Sequence, residues 1–406
     1  MIKEIHAQII HDSRGDETIQ ATVVTDSGHS GSSAVPAGAS KGKYEAKTVP
    51  AAVAVENVQK YIAPALIGKD PANQQELDQI MVALDQTEDK SYLGANSILA
   101  VSMAISRVAA SEKGVELYQH IGSLDHRTGF NLPVPMFNLI NGGKHAENNL
   151  DIQEFMVIPD RVQGYHNQLS AGKLIFSTLG TLLRGNSAFV PIGDEGGYAP
   201  SLDTNEMALD LLVRAIKESG YQPWEEVSLG LDIAASSVAP TFEISPRRYL
   251  GLLSDFPILS IEDPFNEEDW DGWSQFRKLM DETNPTSKRI MLVGDDIFAT
   301  NPSRLSKGLE LKAANAILVK LNQIGTVSQT LNVIEMARHA GYIIIISHRS
   351  GETLDDYIAD FSVGVNAQFI KTGAPNDNHP ERMSKYRRLL DIERQLFPNN
   401  ATTKQA

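Results

Sequence analysis

The chain has 406 residues, 42% hydrophobic and 21% charged, with a net charge of −15 and no cysteine. That length exceeds one ordinary core and calls for two domains, or one large barrel with a cap. The acidic balance argues against non-specific nucleic-acid or anionic-membrane binding. The missing thiols exclude disulfides, thiolate metal sites and a cysteine nucleophile.

The opening "MIKEIHAQIIHDSRG" breaks its apolar stretch with charges and lacks a signal-peptide core. With no cysteine to protect or pair, this leads us to expect a cytoplasmic protein. "ATVVTDSG" (21–28) alternates and then turns, as half-exposed strands do. "AAVAVENVQKYIAPALIG" and "GANSILAVSMAISRVAASEKG" have helical periodicity, the second stopping at Gly114. Residues 1–125 therefore read as an N-terminal α+β capping domain, and "GSLDHRTGFNLPVP" reads as the boundary.

From 133 to 398 the texture is strand, loop, helix, repeated. The predicted strands are "VPMFN", "QEFMVIP", "FVPIG", "SLGLDI", "ILSIED", "IMLVGDD", "AILVKLN", "YIIIISH" and "AQFIK". Amphipathic helices such as "TNEMALDLLVRAIKESG" and "TVSQTLNVIEMARHAG" lie between them. Continuous apolar strands alternating with helices predict a parallel sheet covered on both faces, here an α/β fold of the β/α (TIM-like) barrel kind. The longest aliphatic run, "IIII" at 343–346, is far too short to cross a bilayer.

The strand tips are polar or charged, and in such a barrel the C-terminal strand ends share the face where active sites are built. They carry Gln153 and Glu154, Asp194 and Glu195, Asp232, Glu262, Asp295 and Asp296, Lys320, then His348, Arg349 and Ser350, and finally Lys371. Asp232, Glu262 and Asp295 lie on three successive strands, and each alone reads equally as a helix cap or surface ion pair. Together they would repel strongly unless a cation held them, and hard oxygen donors suit Mg²⁺.

Lys320 interrupts the buried run "NAILVKLNQIG". A snorkelling lysine is the ordinary reading. Burial beside Lys371 and a metal cluster would instead disfavour its ammonium form and suit it to act as a base. Glu154 and Glu195 could share a proton, leaving one as an acid. Arg349, Lys371 and Ser350 suit a phosphate or carboxylate, with Arg349 able to grip in bidentate fashion. His145, on the Gly-rich "NGGKHAENN", reads as readily structural as functional. A base, a Mg²⁺ site and an acid suit proton abstraction alpha to a carboxylate, followed by loss of a β-leaving group.

These stretches closely resemble enolase, the phosphopyruvate hydratase family. The likeness runs from "DSRG" to "KYRRLLDIE" and is most specific in "LGANSILAVS", "NLINGGKHAENNLDIQEFM", "GDEGGYAPSLDTNEMALDL", "SIEDPFNEEDWDGW", "VGDDIFATNP", "VKLNQIGT" and "SHRSGET". The resemblance implies reversible dehydration of 2-phosphoglycerate to phosphoenolpyruvate with two Mg²⁺; a lysine base with Mg²⁺ is the established pattern of that superfamily. It implies that Lys320 is the base and Glu195 the acid, supported by Glu154. It implies that Asp232, Glu262 and Asp295 hold the first metal, and that Ser40, in a mobile loop, reaches the second. Gln153, His145, His348, Arg349, Ser350 and Lys371 would contact substrate. A small anionic phosphorylated substrate and a homodimer or higher homo-oligomer follow from the same likeness.

The sequence also departs from the family. "SRGDETIQA" replaces the usual "SRGNPTVEV", and Ala37, Lys41 and Lys43 alter the mobile loop. The 233–261 segment is short, "DETNPTSKR" is long, and "GAPNDNHPERMSKY" is changed. Drift in exposed loops is one reading of Lys41 and Lys43. The other is a paralogue acting on a different phosphorylated or phosphonate carboxylate. A non-catalytic scaffold is the third possibility, though such proteins usually lose a base, acid or metal ligand and this one keeps them all.

Overall fold

The computed structural model of the protein describes residues 1–38, 42–185, 190–238, 242–283 and 290–398. Ser40, Lys41, most of "DETNPTSKR" and Phe189 of the predicted "FVPIG" strand lie outside the described residues.

The chain opens with an antiparallel sheet of β1 (Ile2–His11), β2 (Glu17–Thr25) and β3 (Ser30–Ala34), in that order. Alternation sets its two faces: Ile19, Ala21 and Val23 of β2 are fully buried. Gln20, between them, bonds Gln8 across the strand pair on the other face. The helix Ala95–Lys113 lies directly on β3, so a Cβ on Gly31 would come within 2.5 Å of the Val108 nitrogen. That helix stops as its sequence predicts, at Gly114 with φ 64°. The stretch 51–68 is not one regular helix but Ala51–Asn57, a π-helical Val58–Ile62 and Ala63–Leu66. Pro64 has no N–H for the carbonyl of Lys60, and the ladder changes register there.

Eight strands then close a barrel: β4 (Val134–Asn141), β5 (Glu154–Ile158), β6 (Ser228–Asp232), β7 (Ile258–Glu262), β8 (Met291–Gly294), β9 (Ala316–Val319), β10 (Ile343–Ser347) and β11 (Phe369–Lys371). Around the ring the order is β10-β11-β4-β5-β6-β7-β8-β9.

Two expectations need correction. The barrel is not wholly parallel, because β5 runs antiparallel to both β4 and β6. Residues 142–153 connect β4 to β5 with only a short 3₁₀ turn, Gly143–His145, and no crossover helix, so the chain doubles back. "FVPIG" is also not a barrel strand. Of its described residues, Ile192 makes only an isolated bridge to Tyr198. Pro191 cannot donate to a ladder, and β6 already occupies the place beside β5.

Inside the ring, Met136, Met156, Ile158, Met291, Val293, Ala316, Leu318 and Ile345 pack as one buried cluster. The larger core lies outside it, where the intervening side chains meet the helices. Helix Tyr165–Arg184 approaches β4 through Gly172, where a Cβ would sit 2.3 Å from the ring of the fully buried Phe137. Gly172→Ala should gain ~0.8–1 kcal/mol in helix propensity but lose about 1–3 kcal/mol to overpacking. The clash should win, lowering the melting temperature by several degrees. A melting temperature equal to or above wild type would contradict this packing.

Candidate active site

Strand side chains alternate, so the packed barrel interior dictates which residues reach the mouth. Ala316 and Leu318 point inward, and the next residue in that row is Lys320. Met291 and Val293 lead likewise to Asp295, Gly230 to Asp232, Ser260 to Glu262 and Phe369 to Lys371. β5 is reversed, so its row runs from Ile158 and Met156 back to Glu154, its first residue. The reversal brings Glu154 to the same rim, paired with Asp232 and Asn141. Around the eight positions, Glu154 and Lys320 are four strands apart and face each other across the mouth. Asp232, Glu262 and Asp295 fill one arc between them.

Loops deliver the remaining groups. Gly142 and Gly143 let the β4–β5 connection fold back tightly: a Cβ on Gly142 would lie 2.4 Å from the Ile152 carbonyl, and Gly143 has φ 50°. This turn sets His145 Nδ1 3.4 Å from Glu154 and 3.7 Å from Glu195. Glu195 sits in the 193–197 turn and accepts from Asn138 Nδ2 at 2.9 Å. His348 follows β10, its Nε2 3.3 Å from Glu195 Oε2. Arg382 donates to His348 Nδ1 at 2.6 Å, and a guanidinium can only donate, so the ring's proton is on Nε2. Burial pushes His348 down to about 3, which keeps the ring neutral. Its Nε2 and the Nδ1 of His145 make no well-aligned hydrogen bond among the described residues, although each faces a carboxylate oxygen within 3.4 Å. Buried polar groups so loosely held leave room for a ligand.

The charges are strongly coupled. Lys371 Nζ lies 2.8 Å from Glu154, 2.9 Å from Glu262 and 3.5 Å from Asp232. Burial opposes its ammonium form, but Glu154, Glu262 and Asp232 together raise it well above the usual lysine value. Lys320 Nζ is 2.5 Å from Asp295 Oδ2. The expected neutral lysine is therefore not what this arrangement gives. Burial, Arg349 and Lys371 do work against the ammonium, yet Asp295 outweighs them and the pKa is raised. Burial and then Asp232 push Glu262 well above the carboxylate range; burial and then Glu195 raise Glu154. Glu195 would also rise on burial, but His348, whose Nε2–H faces its carboxylate, and His145 hold it well below. Of the two acids, Glu154 is the one whose surroundings favour a proton.

Arg349 is gripped, but by protein. Its Nη1 is 2.8 Å from Glu45 Oε2 and its Nη2 donates to Glu45 Oε1 at 3.1 Å, with Nη1 also reaching Asn322. Glu45 belongs to the segment after β3, so this buried pair ties the small sheet's side of the molecule to the barrel. The cavity between these groups holds about 50 Å³, room for a few waters. Gln153 donates to Asp232 Oδ2 at 3.1 Å, and Ser350 lines the cavity.

Sequence reasoning missed Glu45, Asp263, Gln323 and Arg382. Asp263 accepts the Asp295 and Asp296 N–H groups at 3.1 and 2.7 Å and so shapes the β8 tip. Arg382 is fully buried and also donates to the carbonyls of Arg349, Ser350 and Asp194. One signal was available: a cation in the first turn of helix Pro380–Leu396 opposes the helix dipole and needs a reason. Glu45 and Gln323 have no local signature.

A family model described as enolase, N-terminal domain, matches residues 2–121, and one described as enolase, C-terminal TIM barrel domain, matches 129–244 and 246–404. The chain belongs to the enolase family. Its members are Mg²⁺-dependent carbon–oxygen lyases. Carboxylates outnumber the lysines and arginine lining the cavity, and Asp232 and Asp295 among them offer the buried hard-oxygen donors that suit such an ion. Two groups of ligand atoms lie within 4.8 Å of one another among the described residues, His145–Glu154–Glu195 and Asp263–Asp295–Asp296. The expected trio is not one of them. Lys371 stands between Asp232 and Glu262, and Lys320 is on Asp295.

Burial and then Asp295 push Asp296 up to about 7, against about 3.9 for a free aspartate. The folded form thus binds more protons than the unfolded one between these values, and its stability falls as pH rises through about 7. Glu262 and Asp263 are raised by burial and like charge and act in the same direction. Mg²⁺ should therefore raise the melting temperature by several degrees more at pH 8 than at pH 5.5. An equal rise at both values would contradict the coupling.

Proposed function

We propose that the protein interconverts 2-phosphoglycerate and phosphoenolpyruvate, with Lys320 as base, Glu195 as acid and Glu154 supporting it. One observation carries the reading: Lys320 and the Glu154–Glu195 pair line the same small cavity from opposite sides of the barrel, with a carboxylate arc between them. A substrate lying across the mouth would present its C2 hydrogen to Lys320 and its C3 hydroxyl to Glu195.

Asp232, Glu262 and Asp295 would hold the first Mg²⁺, and Ser40 is proposed for the second. An ion held there would supply positive charge to the substrate's carboxylate as it gains electron density, and Asp295, engaged in holding it, would no longer favour the ammonium form of Lys320. Lys320 then removes the C2 proton. A proton from Glu154 reaches Glu195, which gives it to the departing C3 hydroxyl, and water leaves. Lys371 and Gln153 orient the carboxylate end; His145 and His348 turn their loosely held nitrogens to substrate oxygens. Arg349 and Ser350 receive the phosphate, whose charge competes with Glu45 for the guanidinium fork.

The paralogue reading gains nothing from Lys43. Its Nζ turns away from the cavity to Glu268, at 3.7 Å, and to the Tyr44 ring. A place in glycolysis, in the cytoplasm and as a homodimer is proposed from family likeness.

Phosphoenolpyruvate formation from 2-phosphoglycerate, followed by absorbance, should require Mg²⁺ and stop with a chelator. Lys320→Ala should lower kcat by about 10³-fold or more, near the upper range for loss of a general base. No turnover of 2-phosphoglycerate by the Mg²⁺-loaded wild type would overturn the proposal.

A further inference from the structure

We propose that Gln323 is a positioning residue for the base, the keystone of a closed ring of hydrogen bonds that leaves the Lys320 backbone and returns to its side chain. The inference rests on Lys320 acting as proposed above. The Lys320 N–H donates to Thr300 Oγ1 at 3.0 Å. The Thr300 hydroxyl donates to Gln323 Oε1 at 2.6 Å, and Gln323 Nε2 donates to Asp295 Oδ1 at 3.0 Å. Asp295 Oδ2 receives Lys320 Nζ and completes the circuit.

The direction of each bond is forced. A carboxylate only accepts, so the amide nitrogen must face Asp295 and its oxygen must face Thr300. The Thr300 oxygen already accepts from Lys320, so its proton goes to Gln323. Gln323 and Thr300 are buried, and the Gln323 main chain is fixed on both sides: its N–H donates to Lys320 O at 3.0 Å and its carbonyl accepts from Ala46 at 2.8 Å. Thr300 has φ 49°, a conformation β-branched residues rarely adopt, and Ala299 beside it has φ 46°. The strained turn is what brings the hydroxyl under the Lys320 backbone.

The ring assigns separate work to the two oxygens of Asp295. Gln323 holds Oδ1 and leaves Oδ2 to Lys320 and the proposed cation site. A carboxylate without that clamp rotates readily about its last bond. A lysine stem is equally free, whereas proton transfer from carbon needs the nitrogen at a fixed approach.

Gln323→Leu and Thr300→Val should each lower kcat by about 10–100-fold, the range seen when a ligand's supporting partner is lost. KM for 2-phosphoglycerate should stay within about threefold, because neither residue is proposed to touch substrate. Thr300→Ser, which keeps the hydroxyl, should recover most of the Thr300→Val loss. Calorimetric titration with Mg²⁺ alone should show binding weakened about tenfold in Gln323→Leu, with melting temperature confirming that the variant is folded. Wild-type Mg²⁺ affinity and kcat in a folded Gln323→Leu protein would overturn the proposal, as would Thr300→Ser being as impaired as Thr300→Val. If wild-type protein is inert on 2-phosphoglycerate, the functional reading fails alone and the Mg²⁺ titration still decides about Gln323.

Discussion

Asp232, Glu262 and Asp295 are buried on neighbouring strands, and the repulsion among them is the constraint around which the mouth of the barrel is arranged. Burial removes the water that would screen them, so each must find positive charge or keep a proton. The protein supplies two ammonium groups, Lys371 to Asp232 and Glu262 and Lys320 to Asp295. The lysines do not equal the acids in number. Glu262, Asp263 and Asp296 are consequently pushed upward, and a divalent cation is what this electrostatic deficit calls for.

The same deficit bears on the two states proposed for Lys320. Asp295 stabilises the ammonium of Lys320, while burial, Arg349 and Lys371 destabilise it. Asp295 is the larger of the carboxylate contributions, with Glu262 behind it, so a charge that engages Asp295 weakens the hold on the ammonium. Across the mouth, the orientation of His348 is fixed by Arg382, and the surroundings favour a proton on Glu154 over one on Glu195. The charge states of Lys320, Glu154 and Glu195 are thus set by other groups lining the same cavity, with Arg382 acting on His348 from behind it.

Much of this was written in local pattern. Period-two alternation through "AILVK" places Lys320 at the mouth once the strand is recognised, and the same logic finds Asp232, Glu262, Asp295 and Lys371. The family motifs named the remaining candidates, and the matches to both enolase domain models bear that resemblance out. The reversal of β5 was less visible, since an apolar five-residue strand looks the same in either direction and only the helix-free connection marks it. Glu45 on Arg349 spans 304 residues of sequence, and the ring through Thr300 and Gln323 depends on an unusual backbone turn. Neither has a spacing rule that would disclose it.

The central claim is that Lys320 takes the hydrogen from C2 and that Glu195 acts afterwards, on the leaving hydroxyl. Exchange of the C2 hydrogen of 2-phosphoglycerate with deuterated solvent, measured by NMR on Mg²⁺-loaded protein, separates the two steps. Lys320→Ala should abolish the exchange, while Glu195→Gln should retain it and form no phosphoenolpyruvate. Exchange persisting at the wild-type rate in Lys320→Ala would contradict the account.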